Sequence, residues 1–79
     1  MDKKELLKNL DKIHTTEMGI ERIQKNLKID EEPVSYCILK LEKEDSTVTK
    51  KGKNYYIDAD DCIITVNSSS YTIITAHNK

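Results

Sequence analysis

At 79 residues the chain has room for one domain, read as 1–79. Its formal net charge of −1 excludes the general electrostatic grip on nucleic acid that a strongly basic domain exerts. No apolar run approaches the ~20 residues of a membrane span, and Met1–Glu5 lacks the apolar core of a signal peptide, so a cytoplasmic protein with no membrane partner is expected. Trp and Phe are absent, which leaves Ile, Leu, Val and four Tyr to build the core.

Asp2 followed by Glu5 offers a capping-box start, and Leu6, Leu7, Leu10 and Ile13 share one helical face, predicting a first helix over about 3–13. Thr15 or Thr16 can cap a second helix over about 16–27, with Ile20, Ile23 and Leu27 facing inward. Gly19 weakens the first turn of that helix, which points to a close approach by backbone or ligand. Arg22, the single Arg among 13 basic residues, suits a planar bidentate contact that Lys would not fill. Asp30-Glu31-Glu32-Pro33 opens a third helix over about 31–44, striped by Val34, Cys37, Ile38 and Leu41.

The period then changes to two. Strands are predicted over about 46–50, 54–58, 62–67 and 71–77, with turns at Lys50–Asn54 (Gly52 supplying the unusual φ) and Asp58–Asp61. Three N-terminal helices followed by four strands give an α+β domain: helices packed on one face of a C-terminal four-stranded antiparallel sheet.

The register of the last hairpin decides which polar groups meet. A Ser68–Ser69 loop pairs Val66 with Tyr71 and turns Thr75 and His77 toward the helices. A Ser68–Ser70 loop pairs Asn67 with Tyr71. It places Cys62, Ile64, Val66, Thr72, Ile74 and Ala76 in the core and gathers Thr65, Asn67, Tyr71, Thr75 and His77 on the open face. The second separates polar from apolar more cleanly and is preferred.

On that face a Thr75-x-His77 pair can bind a phosphate or assist acid–base chemistry, although a residue so near the end of the chain frays by default. His14, at the end of the first helix, either serves a ligand or caps helix carbonyls. Lys50, Lys51 and Lys53 beside Tyr55 and Tyr56 form a solvated turn that also suits a phosphate backbone with stacked bases. Asp58-x-Asp60-Asp61 fails as a calcium loop, because Ile63 and Ser69 stand where Gly and Glu are needed. No zinc spacing or nucleotide-binding motif is present, so no metal and no cofactor are expected. Cys37 and Cys62 read as buried free thiols.

The runs His14–Leu27, Lys51–Tyr56, Ile64–Asn67 and Ser70–His77 resemble a bacterial family of small uncharacterised proteins, domain-of-unknown-function family 3781, over nearly the whole chain. The closing Ile73-Ile-Thr-Ala-His77 is similar to the last strand of the barnase, EndoU, colicin and RelE-like ribonuclease fold. That likeness implies RNA binding and metal-independent cleavage on the open sheet face, with His77 and Thr75 at the scissile phosphate and Arg22 or Lys53 steadying its charge. In the same reading Lys51, Lys53, Tyr56, Thr65, Asn67, Tyr71 and His14 are binding residues. Residues 16–57 also resemble a winged helix-turn-helix, which implies DNA binding by the third helix, with Thr47–Ile57 as the wing. Glu31 and Glu32 stand where that helix would meet phosphates. A third class is a non-enzymatic module that binds another protein, or itself, through its tyrosines and a sheet edge.

Overall fold

The computed structural model describes residues 2–79; Met1 of the predicted domain lies outside the described residues. The chain forms α1 (Asp2–Leu7), a 3-10 turn (Leu10–Lys12), α2 (Glu17–Leu27) and α3 (Pro33–Glu42). Strands β1 (Thr47–Lys51), β2 (Asn54–Asp58), β3 (Cys62–Asn67) and β4 (Ile73–Asn78) follow. The strands make an antiparallel meander in the order β1-β2-β3-β4. The helices cover one face, α1 against β1 and α2 against β4, so the α+β class and layering are those the pattern predicts.

Each helix ends where side chains take over backbone partners. α1 stops at Leu7 rather than running to 13 because the Asn9 side-chain amide donates to the Glu5 carbonyl at 3.0 Å, and the Asn9 N–H turns to Leu6 instead. α2 begins at the Thr16 cap, whose hydroxyl accepts from the Gly19 N–H at 3.0 Å, and ends at Lys28 in the left-handed region (φ 58°). Gly19 is explained by its neighbour: a Cβ there would stand 2.1 Å from Thr15 Oγ1. α3 is shorter than 31–44 because Glu32 is its cap, its carboxylate accepting from the Val34 and Ser35 N–H groups. At the other end the buried Ser46 hydroxyl lies 2.9 Å from the Leu41 carbonyl and 2.8 Å from that of Lys43.

The core lies between the layers. Leu6, Ile13, Ile23, Leu27, Cys37 and Leu41 descend from the helical side to meet Tyr55, Ile57, Cys62, Ile64, Val66, Ile73 and Ala76. Alternation along each strand then turns the intervening residues to the face the helices leave uncovered.

The β3–β4 hairpin follows neither register weighed from the sequence. Val66 pairs with Ile73, the register shifts, and Thr65 pairs with Thr75, Ile64 with Ala76 and Ile63 with His77. Ile74 is the extra residue of the resulting bulge and is 45% exposed, so Ile73 and Ala76 both reach the core although three positions separate them. Thr72 and Ile74, expected inside, are half-buried and exposed; Ile73, expected outside, is buried.

The cause of this shift is non-local. The segment after the 3-10 turn runs beside the start of β4: the His14 N–H donates to the Tyr71 carbonyl at 3.1 Å, and the Ile73 N–H donates to the His14 carbonyl at 2.7 Å. Thr15 adds a hydroxyl bond to the Ile73 carbonyl at 3.3 Å. Tyr71 accommodates this pairing with φ at 61°, a conformation that costs a non-glycine residue about 1–3 kcal/mol. On the opposite edge of the sheet the Lys50 N–H donates to the Asp2 carboxylate at 2.9 Å. Residues 2–15 therefore touch both outer strands.

Candidate functional site

The uncovered sheet face is ordered by the pairing. Its central row crosses all four strands as Thr49, Tyr56, Thr65 and Thr75. One flanking row runs Thr47, Asp58, Ile63, His77; the other runs Lys51, Asn54, Asn67. Thr49 and Thr65 thus flank one exposed aromatic ring, Tyr56 being 39% exposed on an interior strand, with Thr75 beyond Thr65. Thr65, between Tyr56 and Thr75 in the row, is 8% exposed.

The two ends of this face differ in charge. Lys51 and Lys53 stand at the β1–β2 turn, where the Lys53 carbonyl accepts from the Ser68 N–H at 2.8 Å and lies 2.9 Å from Ser68 Oγ. That turn is thereby joined to the serine loop. Gly52 holds φ at 62° with open space around it, the left-handed position the turn requires. At the other end lie Asp58, Asp60 and Asp61, with Asp58 paired to Lys79. Lys40 of α3, its side chain 12% exposed, donates to Asp61 at 2.8 Å and lies 5.3 Å from the Tyr36 ring centre. The Lys40 hydrogen bond holds the Asp61 carboxyl below the usual carboxylate range and pushes the Lys40 ammonium up.

The expected site residues divide among several places. Thr65, Thr75, His77 and Tyr56 share the open face, with Lys51 at its rim. Asn67 lies in the outer row, but its carboxamide oxygen is occupied within the loop, accepting from the Ser69 and Ser70 N–H groups at 2.8 and 2.9 Å. Tyr71 is not on that face; it sits in the loop before β4, half-buried against the core, with the Lys12 ammonium 5.7 Å from its ring centre. Arg22 lies on α2 in a shallow groove lined by Met18, Glu21, Lys25 and Asn26, and no ion pair or hydrogen bond joins it to His77 or Thr75 among the described residues. His14 belongs to the segment that straps the start of β4, its ring bonded to Thr72 and to the Lys12 carbonyl.

Sequence reading missed Thr49 and Asn54 as members of the face, although the alternation Thr47-Val48-Thr49 carries the signal. It also missed the meeting of His14 with Thr72, for which no local signal exists because 58 positions separate the partners.

Among the described residues no group of three or more His, Cys, Asp or Glu side chains is placed to hold a metal ion, and no helix is long and apolar enough to cross a membrane. Cys37 and Cys62 are free and buried; burial pushes the Cys37 thiol up to about 12 and that of Cys62 up to about 11, so both stay protonated and unreactive near neutral pH.

A family model described as "Protein of unknown function (DUF3781)" matches residues 7–77, nearly the whole chain. No curated protein and no solved structure matches it.

Proposed function

The chain belongs to the DUF3781 family, whose description names no activity, and we propose from the geometry that the open sheet face binds single-stranded RNA. The observation that carries this reading is the central row, with the Tyr56 ring exposed between Thr49 and Thr65 on the face of a four-stranded sheet that the helices leave uncovered. An exposed aromatic on such a sheet stacks a base whatever its identity, and adjacent hydroxyls bond base edges or a ribose 2′-OH. Strands spaced about 4.8 Å apart give the face room for two or three nucleotides. Lys51 and Lys53 lie at one end to meet the phosphates.

The charge balance fits this mode. With two lysines at the site and a net charge of −1, affinity comes mainly from stacking, and the salt dependence is shallow, a slope of about −1.4 for two phosphates on a single strand. Cleavage, in the same reading, falls to His77 as the proton-transfer group with Thr75 beside it, without metal and without Arg22. The winged-helix alternative draws no support, because the N-terminus of α3 presents Glu31 and the capping carboxylate of Glu32 to any phosphate. Self-association through a sheet edge is disfavoured by the covers that Asp2, His14 and Thr15 place on the outer strands.

The test is fluorescence anisotropy with short single-stranded RNA of mixed sequence, comparing the native chain with Tyr56→Ala. Removing the ring is expected to weaken binding by about 1–3 kcal/mol, roughly 5- to 150-fold. Equal affinity for the two proteins, or a preference for double-stranded DNA, would defeat the reading. Incubating the RNA with chelator and comparing His77→Ala separates binding from cleavage.

A further inference from the structure

Away from the open face, the strap before β4 brings an imidazole onto a hydroxyl pair. His14 Nδ1 lies 2.8 Å from the Lys12 carbonyl, which can only accept, so in the neutral ring Nδ1 carries the proton. Nε2 is then a lone-pair acceptor, and Thr72 Oγ1 lies 3.1 Å from it. Ser70 Oγ stands 2.9 Å from Thr72 Oγ1 and 3.2 Å from Asn67 Oδ1. Carbonyl, imidazole and hydroxyl thus occur in the order orienting group, base, nucleophile.

A second observation bears on the same atoms. Tyr71, immediately before Thr72, is one of two non-glycine residues with positive φ among the described residues. The other, Lys28, ends a helix and is accounted for as a C-cap, whereas Tyr71 lies in no helix end. Its conformation is held by the backbone bonds of His14 on one side and the Asn67 carbonyl on the other, the Tyr71 N–H donating to the latter at 2.9 Å. The outcome of this conformation is the delivery of Thr72 Oγ1 to the imidazole. Strain at a residue that delivers a hydroxyl to a base is the pattern expected of a functional turn. His14 is exposed and Thr72 half-buried, so a ligand can reach both.

The geometry points to Thr72 as an acyl-acceptor hydroxyl activated by His14, with activated acyl esters as the substrate class. In the step, Thr72 Oγ1 forms a bond to the carbonyl carbon while its proton passes to His14 Nε2. The bond from that carbon to the leaving oxygen then breaks, and the departing alkoxide takes the proton from Nε2 and leaves as the alcohol. No electron is gained or lost and no co-reactant is required. The Ser70 hydroxyl, 2.9 Å from Thr72 Oγ1, would have to turn from Asn67 Oδ1 to meet the developing oxyanion. This site is separate from the RNA face and stands or falls independently of it.

The test uses the full chain with p-nitrophenyl acetate in mildly alkaline buffer, following p-nitrophenolate release and locating the acetyl group by peptide mass analysis. Acetylation is expected on Thr72, retained in Thr72→Ser, absent in Thr72→Val, and slowed about 10²-fold in His14→Gln. The backbone of His14 rather than its ring pairs with β4, so the His14→Gln chain keeps that connection, and circular dichroism verifies it. Acetyl groups confined to lysines, or a rate unchanged by His14→Gln, would overturn the assignment.

Discussion

The two faces of the sheet are written into the same strands, one residue out of step. In β3, Cys62, Ile64 and Val66 turn to the helices and are at most 1% exposed, while Ile63, Thr65 and Asn67 turn away from them. In β2, Tyr55 and Tyr56 are neighbours in sequence, yet one is sealed in the core and the other is 39% exposed. Burial gives the first Tyr a raised pKa. The difference shows how a small domain keeps stability and recognition apart. Apolar area on one parity holds the layers together, and the other parity is left free for chemistry.

The strongest way to sharpen that comparison is to empty a core position. Ile64→Ala removes a fully buried side chain from the middle of the covered face and is expected to cost about 2–5 kcal/mol, measured by urea denaturation. For a chain this small that is a large share of the whole stability. RNA affinity per folded molecule should not change. Tyr56→Ala is the mirror image: affinity falls, and the unfolding free energy from urea denaturation stays within about 0.5 kcal/mol of native, as at other surface positions.

Ser46→Ala is next, at about 1–3 kcal/mol, because it strips the end of α3 of the hydroxyl that faces the Leu41 and Lys43 carbonyls. Thr65→Val probes the one residue that belongs to both categories, buried yet on the open face. It keeps the shape and removes the hydroxyl, so stability should hold while anisotropy reports weaker RNA binding. A loss of stability with unchanged binding would break the division between the faces.

The smallest effect is a pH dependence at the rim. The folded-state pKa of Asp61 is lowered by Lys40, so the pair contributes stability above the unfolded carboxylate value, near pH 4, and loses it as pH falls through the folded value. The Lys40 pKa is raised, so its share is complete below the unfolded lysine value and is lost only in strong alkali. With the Asp61 side chain about half exposed, screening keeps the contribution to at most about 1 kcal/mol. Lys40→Met should flatten the acid limb of a urea-stability profile.

Legibility from sequence followed the range of the interactions. The stripe Val34, Cys37, Ile38, Leu41 and the alternation after Thr47 are local, and they mark α3 and the sheet directly. The end of α1 turns on a single side-chain amide at Asn9, a competition that apolar spacing does not register. The hairpin register required a partner 58 positions away, since it is His14 that fixes Tyr71 and Ile73. The open face could be read in outline because Thr65, Thr75 and His77 alternate with core residues. Arg22 was grouped with them by chemistry alone, whereas its place is set by the helix that carries it. Gly19 invited a backbone or a ligand and instead makes room for the Thr15 side chain.

The covers on the two outer strands carry a consequence for how the chain is made. Asp2 guards β1, and His14 with Thr15 guards β4, so residues that precede the sheet in the chain protect its two outer strands. While β4 is unfinished, β3 is itself an open edge, and the segment that will close the sheet has nothing to grip. Contacts of such long range form late. The interval before the last strand docks is therefore when the domain is most exposed to pairing with another nascent copy, and shortening the chain by its final strand should convert a self-contained sheet into one that aggregates.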